Sequence, residues 1–283
     1  MADPIKQKEY ENIATTVARE ARRPFPITST GGELFYIAVP ELWKLEDCES
    51  LMPYPRRKRA KVSLSDADGF IAYLQRHGSV DGSTIWCEAD YQRGLVAYTG
   101  IINDHCAPYD AQQWRDHIAN LTPAKSVEWQ RWTGKDRQRF SQADFACWIE
   151  DNMGDIATAK GYPTGTDMLQ MATYLEIAQD SAIKSMIRLQ SGGVRMEYVE
   201  DSNAETVKSM EVFSKFALGL PVFWGGSPYM VEARLKYQLK AGRVDFWYEL
   251  NRPDKVLEDA AKTLTAAIQD KTGFPIFHGK PFA

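Results

Sequence analysis

Hydrophobic positions along the chain switch between the helical and the strand period, and the switches mark the elements. Between Asp3 and Arg23, Ile5, Ile13 and Val17 can share one stripe, and Pro24 and Pro26 stop it, which predicts an N-terminal helical arm over residues 1–24. Leu34 to Val39 is rich in β-formers and closes on Pro40, so it reads as a short strand. Ser65, with Asp68 three residues on, predicts a helix N-cap, followed by Phe70, Tyr73, Leu74 and His77 at helical spacing and by Gly78 as a stop. Thr84–Glu88 and Leu95–Ile102 read as a hairpin whose loop, Ala89–Gly94, is longer than two residues.

Ser141 and Asp144 form an acidic variant of the capping box ahead of Phe145, Trp148, Ile149 and Met153 on one helix face. Ala157–Thr166 breaks the pattern and is the expected boundary between a subdomain over 25–158 and a second over 159–283, the two being able to form one continuous domain. Met168, Met171, Ala172 and Leu175 begin another helix. Strict alternation then takes over. Ile183–Leu189 turns at Ser191–Gly193 into Val194–Tyr198, and Tyr229–Leu239 turns at Ala241–Gly242 into Val244–Leu250, each with one apolar and one polar face. Pro253, the stripe Val256, Leu257, Ala260, Leu264 and Ile268, and Gly273 bound a C-terminal helix expected to cover that meander. The predicted class is α+β: a mostly antiparallel sheet with packed helices, preceded by the arm.

With 44% hydrophobic and 25% charged residues in 283, the chain can bury enough apolar surface to offset the entropy of ordering. A net charge of −4 argues against a surface that tracks phosphates everywhere, but not against a local basic patch. No apolar run approaches the roughly 18–20 residues that span a bilayer, and the N-terminus lacks a signal-peptide core, so a cytoplasmic protein without a membrane partner is expected. Cys48, Cys87, Cys106 and Cys147 are dispersed, which predicts reduced thiols and no C-x-x-C metal or redox site.

In order along the chain stand Phe70-Ile-Ala-Tyr73, Ile102-Asn-Asp-His105, Trp114-Arg-Asp-His117, Ser126-x-Glu-Trp129-x-x-Trp132, Phe145-Ala-x-x-Ile-Glu-Asp-Asn152, Gly219-Leu-Pro-Val-Phe223, Ala233-Arg-Leu-Lys-Tyr237 and Thr272-Gly-Phe-Pro-Ile-Phe277. In these motifs the chain resembles an uncharacterised family of phage and prophage proteins, the YfdQ-like family. Each motif is short; their joint order, from about Pro53 to the C-terminus, is what is specific. The resemblance implies a phage or prophage origin and expression in the bacterial host cytoplasm. It supplies no catalytic residues.

Several constellations suggest chemistry. Asn103-Asp104-His105-Cys106 follows a predicted strand, where a scaffold presents reactive groups, although neighbours on a strand point to opposite faces and would need an irregular loop to meet. Asp104, His105, His117 and Glu150 would form a hard-metal site if the fold converged them; a turn and a solvated helix end are the plainer readings. No phosphate-binding glycine loop is present, and in Gly225-Gly-Ser227-Pro228 the proline removes a donor that an oxyanion hole would use, so no cofactor is expected. Arg56, Arg57, Lys58, Arg59 and Lys61 concentrate positive charge beside Tyr54, which can stack on a base; a solvated loop or a dock for an acidic neighbouring subunit is the plainer reading, given the overall acidity. Trp114, Trp129 and Trp132 are expected to pack around Trp148 in a core.

The function these readings predict is a phage accessory protein acting by binding, to nucleic acid or a host protein, as a homo-oligomer. The alternatives are a metal-dependent enzyme of nucleic-acid metabolism and a structural assembly protein.

Overall fold

The computed structural model describes residues 13–21, 25–28, 34–38, 51, 53–106, 111–179, 182–188, 194–199, 208–240 and 243–281. The start of the expected arm, the turns at 191–193 and 241–242, and Cys48 lie outside the described residues. Contacts divide the chain into two units, Met1–Lys58 and Arg59–Ala283.

The first unit holds helix α1 (Ile13–Ala21) and an antiparallel pair, β1 (Phe25–Thr28) and β2 (Leu34–Ala38), the latter being the expected strand. Ile13 and Val17, one helical turn apart, are both exposed.

The second unit starts with a strand that the basic run conceals. Strand β3 (Ala60–Leu64) is followed by α2 (Ala67–His77), β4 (Thr84–Asp90), β5 (Leu95–Ile101), the two-residue pair β6 (His105–Cys106) and β7 (Ala111–Gln112), and β8 (His117–Leu121). Then come α3 (Val127–Gly134), β9 (Phe140–Ser141), α4 (Gln142–Asp151), α5 (Gly165–Gln179), β10 (Ala182–Arg188), β11 (Val194–Val199) and β12 (Lys208–Val212). The chain closes with β13 (Lys215–Pro221), β14 (Pro228–Lys240), β15 (Arg243–Leu250), α6 (Pro253–Thr272) and β16 (Ile276–His278). The fold is α+β, and most strand pairs are antiparallel.

Besides the β6-β7 pair, three larger sheets are described in this unit: five strands in the order β16-β4-β5-β8-β3, four in the order β13-β14-β15-β9, and three in the order β10-β11-β12. The five-stranded sheet is antiparallel in the middle and parallel at both margins, where β16 runs with β4 and β3 with β8. Its helix-covered face is fixed by β5. The Tyr98 hydroxyl donates to the Ala261 carbonyl of α6, and a Cβ on Gly100 would stand 2.8 Å from Leu74 of α2. By alternation, Ala97 and Thr99 face the other way.

Helix α6 lies against both larger sheets, since Tyr98 of β5 reaches Thr265 and Tyr229 of β14 reaches Thr263. Backbone bonds join the sheets as well: Ser126 N–H donates to Val222 O and Trp224 N–H to Ala124 O. Ala157 N–H donates to Ala217 O, so β13 bonds to the segment that follows α4.

Aromatic residues fill the core over the four-stranded sheet. Trp132, fully buried, packs against Tyr248 at 5.2 Å and Trp148 at 5.5 Å between ring centroids, and its carbonyl accepts the Tyr248 hydroxyl. Trp129 is buried too, but Trp114 is 73% exposed and takes no part in this core. It precedes β8 on the connection from β7, away from the helical stripe that gathers the others. The N-cap of α2 also differs from expectation. Asp66, one residue beyond Ser65, caps it, its Oδ2 accepting the Gly69 N–H at 2.6 Å and its charge facing the positive end of the helix dipole.

Candidate functional site

The basic run is divided between the units. Tyr54, Arg56 and Lys58 are exposed and Arg57 is half-buried at the end of the first unit, while Arg59 and Lys61 open the second. Lys61 lies within β3, so part of the run expected as a loop is strand. The reason is the pattern Ala60, Val62, Leu64, which turns three small or apolar residues toward α2 and leaves Lys61 and Ser63 outward. Arg59 Nε stands 3.9 Å from Asp116 Oδ2, just before β8.

Register then defines what shares that outward face. Ser63 pairs with Asn120, Asn120 with Thr99, Thr99 with Trp86, and Trp86 with Phe277, a complete row across five strands. Four inter-strand spacings make it about 19 Å long. At one end, the Trp86 and Phe277 rings lie 5.3 Å apart, with Phe277 half exposed. In the middle, Thr99 Oγ1 donates to Asn120 Oδ1 at 3.2 Å. The adjacent row ends in Lys61, which pairs with Ile118. Glu88 is the acidic residue beside the aromatic pair, and Lys280 Nζ sits 3.0 Å from it. Aromatic rings at one margin, hydrogen-bonding groups between and cations at both margins are the components of a base-stacking platform.

On the opposite side, behind Trp86, burial raises the Cys87 thiol above its ordinary pKa and holds the Tyr98 hydroxyl protonated, so both are neutral packing groups. Among the described cysteines, Cys87 and Cys147 are free thiols.

Three of the four residues proposed for a metal or catalytic site share one neighbourhood at the end of β5. Asp104 is buried; its Oδ1 is 2.8 Å from Arg115 Nε and its Oδ2 3.3 Å from His105 Nε2. Asn103 stitches the same loop to β8, its Oδ1 accepting the His117 N–H at 2.9 Å and its Nδ2 donating to Asp116. His117, also buried, meets the Tyr73 hydroxyl through Nε2 at 2.9 Å, and its ring lies 5.4 Å from that of His77. Glu150 is not part of this group. It is exposed on α4, which packs on α5, β9 and β15. Among the described residues, no three histidines, cysteines or carboxylates gather as a metal would require.

Sequence reasoning missed Arg115, Tyr73 and His77, which reach the loop through space. Arg115 carried a faint signal within Trp114-Arg-Asp-His117, and it adopts φ +54°, a left-handed conformation uncommon outside glycine, which aims its guanidinium back at Asp104.

No described helix is long and apolar enough to cross a membrane. No curated protein and no solved structure matches the chain. Residues 7–281 do match a family described as an uncharacterized conserved protein (DUF2303), and with nearly its whole length covered the chain belongs to that family.

Proposed function

We propose that this is a phage- or prophage-encoded accessory protein that binds single-stranded nucleic acid in the host cytoplasm, as a homo-oligomer. The observation that carries the binding reading is the row Phe277–Trp86–Thr99–Asn120–Ser63, with Lys280 at one end and Lys61 and Arg59 at the other. Bases stack on aromatic faces without regard to sequence, and cations along the margins release counterions from the phosphates. The overall negative charge is compatible with this, since only a local stripe needs to be basic. Phage origin rests on the motif order from Phe70 to Phe277. Self-association rests on Ile13 and Val17, an exposed apolar stripe of the kind a neighbouring copy covers.

The test is fluorescence anisotropy with an oligothymidylate over a salt series. Phe277→Ala should weaken binding by about fivefold or more, the low end of one lost stacking contact. Replacing Arg59, Lys61 and Lys280 with serine should flatten the slope of log K against log salt by about 2, at roughly 0.7 per phosphate contact on a single strand. Parent-like affinity and slope in both variants would remove the reading.

A further inference from the structure

A second site lies away from the stacking row. A cleft of about 410 Å³ opens between the start of α2, the β8–α3 connection, the β13–β14 turn and α6. Ala260 and Leu264 of α6, the aromatic residues Trp224 and Tyr229, and the carboxylates Asp66 and Asp68 all line it. Among the described lining residues there is no lysine or arginine.

The backbone at Trp224 is held in place while the residue remains 67% exposed. Its backbone N–H donates to the Ala124 carbonyl at 2.8 Å, and the turn behind it closes through Gly226 N–H to Phe223 O at 3.0 Å. Gly225 at φ +72° lets that turn form without strain. Tyr229 is fixed by its hydroxyl on Thr263. A large aromatic surface pinned by the backbone and left open to water is a binding surface more than a packing one.

Charge decides what it binds. A helix N-terminus alone attracts anions with about half a unit charge, but Asp66 already occupies the start of α2 through Gly69 and places a full negative charge there. Asp68 adds another. Its partner Lys271, at 3.0 Å, is a surface contact between side chains 82% and 55% exposed, which a ligand cation can replace at little cost. Carboxylates, an indole and apolar side chains lining one cleft fit a guanidinium or ammonium group on an apolar stem. We infer that this cleft is a binding site for an arginine or lysine side chain.

That side chain could arrive on a free small molecule or on a polypeptide. The chain itself offers a source in residues 53–61, Pro-Tyr-Pro-Arg-Arg-Lys-Arg-Ala-Lys. Lys61 lies near the beginning of β3, while the cleft lies beyond its end. A second copy of the chain would present the same basic segment.

The experiment is titration calorimetry on the full chain with N-acetylarginine methyl ester, its neutral citrulline counterpart, and a peptide of residues 53–61. The arginine ester should bind at least about tenfold tighter than the citrulline ester, and Asp66→Asn with Asp68→Asn together, or Trp224→Ala alone, should remove about tenfold. Asparagine still caps α2, so the double variant keeps its fold. A peptide that binds more tightly than the ester identifies a polypeptide source, and equal affinity per site identifies a free cation. Citrulline binding as tightly as arginine, or parent-like affinity in the double variant, would overturn the inference. The double variant should leave oligothymidylate binding unchanged, which separates this site from the stacking row.

Discussion

Replacing Gly100 with alanine tests which face of the five-stranded sheet is available to a ligand, since the stacking row exists only if Gly100 points at α2 and Thr99 points away. An alanine Cβ would stand 2.8 Å from Leu74 Cδ2 and 3.5 Å from Phe70 Cζ, and both side chains are fully buried. Carbon atoms rest at about 3.5–4.0 Å, so α2 or Leu74 must give by about an ångström. Overpacking of this kind costs about 1–3 kcal/mol, against a gain of about 0.5–1 kcal/mol for alanine over glycine within a strand. The expected net loss is about 1–2 kcal/mol. Leu74→Val withdraws the opposing methyl at a cost of about 1 kcal/mol and should also make room for the new one. The double variant should therefore be more stable than the sum of the singles predicts by about 1 kcal/mol, the size of coupling that contacting residues show. Equilibrium urea denaturation with an unchanged m-value measures all four corners of the cycle. Additivity within about 0.5 kcal/mol, or a stabilised Gly100→Ala, would mean that Gly100 does not face Leu74, and the assignment of the row to the opposite face would fall with it.

Two further outcomes follow from polar groups. Asp104→Ala leaves the Arg115 guanidinium, 23% exposed, without its carboxylate and should cost about 2–3 kcal/mol in the same denaturation assay, with Asp104→Asn losing about half as much; costs below about 0.5 kcal/mol in both would show that the pair holds nothing. Glu232 is held below its ordinary pKa first by the Tyr162 hydroxyl at 2.6 Å, then by Lys215 and Asn251, with burial opposing. A carboxyl depressed in the folded state stabilises above its unfolded pKa, and that contribution is lost as pH falls through the folded value. The stability gap between the parent and Tyr162→Phe should accordingly be widest near neutrality and narrow below pH 4.5, and a gap independent of pH would refute the coupling.

Elements whose signal is local were legible. The β4–β5 hairpin alternates through its whole length and turns at Gly94, with φ +71°, while α6 is bounded by Pro253 and by Gly273 at φ +70°. Strands β3 and β8 were not legible. Each has five residues, β3 is overlaid by a charge run that reads as solvated, and their parallel pairing depends on partners far apart in sequence, which no local period encodes. The same divide runs through the sites. The Asn103–His105 loop announced itself by residue type, whereas the alignment of Phe277 with Trp86 exists only because β16 returns from the end of the chain to lie beside β4.

The loop that looked chemical in the sequence also bears on the stacking row. Asn103 binds the His117 N–H and Asp116 at the start of β8, Asp104 N–H donates to Gly82 O ahead of β4, and the Asp104 carboxylate holds Arg115. Three strands of the sheet are thus pinned at one end by adjacent residues. A one-residue slip of β8 against β5 would turn Asn120 toward α2 and bring a buried residue, Ala119 or Leu121, into its place, because side chains alternate with a period of two. His117 guards against that slip from the other face, since its contact with Tyr73 is possible only while the odd positions of β8 point at α2. A buried acid with its arginine, and a buried histidine with its tyrosine, therefore have a positioning role that needs no substrate. They fix the register that sets Ser63, Asn120, Thr99, Trp86 and Phe277 in one line.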